Sequence, residues 1–224
     1  MTRDPLDVLA GTATPPPMSR ALEHELARLA PVPLRRPWRR FAIVLAVSIG
    51  WAAAVVLALP HRRDLGTLPL FPWLASTVLR GLGFVAALAI ALVPPPGSMF
   101  HRRQAAAIGA IGAATAAIAL GFAVHPSSAA SVELGWTGLS HGAGCLVLGL
   151  VIAVVPVAAC AIAVRRAVPV GTRWIFAAIG AAAGCLAGAA LQFICPIGDA
   201  PHVGLIHGAV VGVAAALCAA IARA

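Results

Sequence analysis

Charge is scarce in this chain of 224 residues: only 10% are Asp, Glu, Lys or Arg. An ordinary soluble domain carries about 25%. With 61% apolar residues and a mean hydropathy of +0.95, the shortage excludes a soluble globular protein, a disordered chain and a nucleic-acid-binding domain. A soluble core of this size could not hide so much apolar surface. The solvent that suits it is a lipid bilayer. There is no Cys-x-x-Cys, and five cysteines is an odd number. A disulfide framework, a zinc ribbon and a thiol oxidoreductase relay are all poorly served by that set. Catalytic triads, phosphate-binding glycine loops and paired carboxylates are missing too, so an enzyme is not expected. Nor is a cleavable signal peptide, because the first apolar run opens only at Phe41.

What the sequence does have is six apolar runs, at about 41–59, 72–93, 104–124, 143–164, 174–194 and 203–222. Each holds roughly the 20 residues that a helix needs to cross about 30 Å of hydrocarbon. The expected fold class is all-α: a six-transmembrane-helix bundle over 41–224, preceded by a short helical segment over 1–40. Orientation follows from the cations, every one of the 16 being Arg. With the N-terminus inside, Arg3, Arg20, Arg28, Arg35, Arg36, Arg39, Arg40, Arg102, Arg103, Arg165, Arg166, Arg173 and Arg223 fall on the inner side. Only Arg62 and Arg63 fall outside, and Arg80 lies within the second run. That asymmetry predicts a multi-pass protein with both termini cytoplasmic. The pair at Arg62 and Arg63 is the one discordant place.

No Asp or Glu lies in any run, which argues against a proton-coupled pump. Glycine recurs every four residues at Gly180, Gly184 and Gly188, and again at Gly204, Gly208 and Gly212. Such ladders let backbones approach closely, so the fifth and sixth runs are expected to form a tight pair. Pro156 is expected to kink the fourth.

The candidate chemistry sits in Cys and His. Cys145 lies near the outer end of the fourth run, one turn after His141. Cys195 ends the fifth run on the same side, and His202 and His207 follow at the start of the sixth. These five residues can gather on one membrane face. Thiolate and imidazole are ligands for zinc or copper. The two thiols could instead close a disulfide if their Cα atoms come within about 7 Å. Cys160, Cys185 and Cys218 read as small packing residues.

The N-terminal segment carries a leucine stripe. Leu6 and Leu9 follow a capped helix start at Asp4-Pro5, and Leu22, Leu26 and Leu29 recur at helical spacing before Pro31 and Pro33. Forty residues are too few to bury that stripe internally. It suits a groove in a partner or the inner leaflet.

Taken together, several features resemble the NrsF-type multispan anti-sigma factors of bacteria. They are a short N-terminal segment before six spans, Phe71-Pro72-Trp73 at the start of the second, Pro96-Gly97 after it, Cys145 opening the fourth, and the stretch Cys195-Pro196 followed by His202 and His207-Gly208. Ile206 stands before His207 where the family is expected to carry Trp. The resemblance implies a bacterial inner-membrane protein whose cytoplasmic segment sequesters an extracytoplasmic-function (ECF) sigma factor. It implies that Cys145 and Cys195 are the sensing pair, read from the periplasmic side under metal or oxidative stress, with His202 and His207 beside them. Nucleic acid would then be touched only through sigma. The rival class is a small multispan metal or solute carrier.

Overall fold

In lipid, a backbone polar group has no water to bond, so an apolar run of this length must satisfy itself as a helix. The computed structural model describes residues 37–62, 70–93, 99–124, 136–164, 173–197 and 201–222. Each predicted run is a helix there: α1 Pro37–Ala58, α2 Leu70–Leu92, α3 Met99–Val124, α4 Trp136–Val164, α5 Arg173–Ile194, and a last helix that opens as a π turn, His202–His207, and continues as α6, Gly208–Ile221. There is no strand among the described residues, and six helices are long and apolar enough to cross a membrane. The N-terminal segment, with Leu6, Leu9, Leu22, Leu26 and Leu29, lies outside the described residues.

The core is one helix. α5 is unbroken burial from Ala177 to Gln192 and touches all five other helices. Its composition explains this. Ala and Gly leave a thin cylinder, so neighbours can close on every side, and close approach is what drives helix association where lipid is as apolar as leucine. A Cβ at Gly180 would collide with the carbonyl of Ala214, and one at Gly184 would sit 2.5 Å from the Cα of Val211. The α5–α6 pair therefore forms, but only α5 contributes its glycine ladder to it. In the last helix Gly204 meets the backbone of Gly121 and Gly208 meets Ile118, both on α3, while Gly212 meets nothing within 4 Å.

α1 runs antiparallel to α4. The indole N–H of Trp51 donates to the Ile152 carbonyl at 3.0 Å, and Arg40 reaches the Ala163 carbonyl at 3.5 Å. The first bond has a cause in the sequence. Pro156 lies inside α4 and has no N–H, so the carbonyl four residues earlier loses its helical partner. That carbonyl belongs to Ile152, and Trp51 supplies the missing donor. α2 runs antiparallel to α5 along a polar seam. Trp73 packs edge-on against Phe193 at 5.0 Å and donates to the Gln192 carbonyl at 3.4 Å; Gln192 Nε2 donates to Ser76 Oγ at 3.4 Å. These pairings bring the end of α1, the start of α4, the end of α5 and the π turn to one face of the bundle.

Candidate metal and thiol site

Two prolines shape the site. α5 carries its helical bonding as far as Cys195, whose N–H donates to Leu191 at 2.9 Å. Pro196 cannot extend the ladder, and the chain turns. Pro201 then starts the next helix, where a missing N–H costs nothing. The short reversal leaves Cys195 at the end of one helix and His202 at the start of the next, with Cys195 Sγ 3.4 Å from His202 Nε2. From α4, Cys145 Sγ comes within 3.3 Å of Cys195 Sγ. Both thiols are free.

His207 joins through the π turn. In an α-helix, positions five apart point about 140° away from each other. A π turn closes hydrogen bonds from i to i+5, which brings such positions round to one side. The rings of His202 and His207 accordingly meet edge-to-face, with centroids 5.2 Å apart. The ligand atoms of Cys145, Cys195, His202 and His207 all lie within 4.8 Å of one another.

The set can hold a metal ion. Tetrahedral coordination with metal–sulfur near 2.3 Å and metal–nitrogen near 2.0–2.1 Å places ligand atoms about 3.3–3.8 Å apart. The Cys195–His202 contact is already near the sulfur–nitrogen spacing, the two sulfurs at 3.3 Å must part by about 0.5 Å, and the widest separation must close by about 1 Å. His207 gives a second reason. It is 1% exposed, yet neither ring nitrogen makes a hydrogen bond. A buried polar group left unsatisfied costs about 1–3 kcal/mol, and a metal bond removes that cost.

The Cys195 thiol lies just past the end of the fifth span. Its contact with Cys145, and then burial, push its pKa above the ordinary thiol value. The Arg62 charge opposes the rise. Arg62 is itself buried, and its backbone N–H donates to the Phe193 carbonyl at 3.0 Å. The arginine that broke the charge pattern in the sequence is thus tucked against the end of α5, beside the thiols.

Of the residues expected to gather, four do. His141 lies in α4 one turn before Cys145, but its side chain is outside the described residues. Sequence reasoning missed Gln192, Ser76 and the bonding of Arg80, all buried. A polar residue every fourth position on α2 (Ser76, Arg80) opposite Gln192 was the available signal.

The family described as NrsF, negative regulator of sigma F, matches residues 26–224. No curated protein and no solved structure matches the chain.

Proposed function

The chain belongs to the NrsF family of negative regulators of sigma F, and from that premise we propose that it is an integral-membrane anti-sigma factor switched by its Cys/His site. The N-terminal segment, residues 1–40, holds an ECF sigma factor inactive at the cytoplasmic face, and the transmembrane domain, 41–224, senses. Capture of zinc or copper by Cys145, Cys195, His202 and His207, or oxidation of the thiol pair, releases sigma. The chain sits in the bacterial inner membrane with both termini cytoplasmic, and the site faces the periplasm.

The observation that carries this reading is the meeting of two thiols and two imidazoles from α4, the end of α5 and the π turn, at ligand spacing. Energetics favour metal over a disulfide. Shifting a two-state protein from 1:99 to 99:1 takes about 5.5 kcal/mol of differential binding. Structural zinc sites reach about 10–16 kcal/mol, whereas a disulfide typically contributes about 2–4 kcal/mol.

The test is co-purification of the full chain with the sigma factor, in detergent, with and without zinc or cuprous ion. Sigma should stay bound without metal and leave with it, and a Cys145→Ser, Cys195→Ser variant should retain it in both conditions. Metal-driven release from that double variant would overturn the sensor assignment. Failure of sigma to bind at all would overturn the anti-sigma reading.

A further inference from the structure

Arg80 is 2% exposed in the middle of a membrane-spanning helix. An ionised group at such a depth is costly, and it is retained where it has work to do. Among the described residues no carboxylate partners it, since all seven acidic residues lie outside them. Its guanidinium instead bridges two helices through backbone carbonyls: Nη1 donates to Gly188 on α5 at 3.1 Å, and Nη2 to Ala117 on α3 at 3.3 Å. Nε has no partner. Two carbonyls, each already serving its own helix, are thin compensation for a buried cation. Losing either carbonyl would leave the buried cation still less satisfied, so the bridge holds the two helices firmly.

Both helices joined by this bridge also contact the π turn that carries His202 and His207. On α5, a Cβ at Gly188 would sit 3.1 Å from Arg80 Nη1 and 3.6 Å from the His207 carbonyl. The guanidinium and the backbone of a ligand residue thus rest over one glycine. On α3, Gly121 lies one turn beyond Ala117, and its backbone meets Gly204 in the π turn too closely for any side chain. Gly204 lies between His202 and His207. α3 is accordingly gripped twice, by Arg80 at Ala117 and by the π turn at Gly121.

We propose that Arg80 couples the Cys/His site to α3, so that loading the site displaces α3 and carries the signal toward the opposite face of the membrane. Closing the widest ligand separation by about 1 Å to coordination distance must move the π turn, which carries two of the four ligands. Gly204 then presses on Gly121, and the His207 backbone moves against Gly188 and the guanidinium above it. With no side chain at either glycine there is nothing soft to absorb the shift. This rests on the metal-sensing reading above. Arg80 is a positioning residue here and touches no metal.

The experiment uses the full chain in lipid nanodiscs, with zinc ion as the probe and cuprous ion in a parallel arm. Metal affinity is measured by competition with a chromophoric chelator, and α3 is followed by amide hydrogen exchange. In the unmodified chain, metal should change exchange across α3 by at least about threefold. Arg80→Gln should keep metal affinity within about threefold, because no ligand is altered, yet lose the α3 response. Arg80→Lys should restore part of it, since an ammonium reaches one carbonyl but lacks the planar fork. Gly121→Ala tests the second grip independently: its Cβ should displace α3 and change exchange before metal is added. A full α3 response in Arg80→Gln, or unaltered exchange in metal-free Gly121→Ala, would overturn the coupling and leave metal sensing standing. Absence of any zinc or cuprous binding by the unmodified chain would overturn the sensing reading itself, and this coupling with it.

Discussion

Trp51 on α1 caps a defect that Pro156 creates in α4. The proline strips the Ile152 carbonyl of its helical donor, and the indole N–H occupies the vacancy at 3.0 Å. A local flaw in one helix thereby becomes the fastening point of another.

The fastening predicts a non-additive pair. Trp51→Phe should lower stability by about 1–3 kcal/mol, the cost of an unsatisfied buried carbonyl. In a Pro156→Ala background the helix regains its own donor, and the same Trp51→Phe change should cost at least about 0.5 kcal/mol less. Unfolding of the four proteins in detergent gives the coupling directly; equal costs in both backgrounds would refute it.

The thiols should separate cleanly by position. Cys145→Ser or Cys195→Ser should weaken zinc or cuprous binding by at least about 100-fold, since losing a ligand costs no less than losing its supporting shell. Cys160→Ser and Cys218→Ser, buried away from the four-ligand set, should leave affinity unchanged. Chelator competition on each purified variant is the measurement.

The leucine stripe should carry sigma. Leu22→Asp together with Leu26→Asp should abolish co-purification and leave the sigma regulon constitutively on, because each buried leucine contributes about 1.5–3 kcal/mol. Full repression by that double variant would place the binding surface elsewhere.

Topology can be read with fusions. Reporters at Ala30 and Ala224 should report a cytoplasmic location, and one near Ser131 a periplasmic one. A periplasmic signal at Ala224 would reverse the orientation drawn from the arginines.

Helix positions were legible because length and hydropathy encode them. A run of about 20 apolar residues can only be a helix in lipid. The shared depth of Cys145, Cys195, His202 and His207 followed from counting along those helices. Rotation was not legible. A helix that is apolar all round has no pattern that says which side faces which neighbour. For that reason the glycine repeat alone points Gly204 and Gly208 toward α5, although they pack on α3. The π turn was hidden for a related reason. His202 and His207 sit at a spacing that an ordinary helix would split, and nothing in their identity announces the extra residue. Arg80 was visible as an oddity, but its two carbonyl partners come from helices that only the packing brings together.

The burial of α5 changes what the surrounding lipid can reach. Within its membrane-spanning window, 83% of α5 is covered by protein, against 17–39% for the other spans. A photoreactive acyl chain would mark α1, α2, α3, α4 and α6 far more heavily than α5, where it could reach only the ends. Changes in bilayer thickness or fluidity must likewise act on α5 through its neighbours. Most of the lipid-facing surface belongs to the other five helices, and the helix that leads into Cys195 contributes little of it.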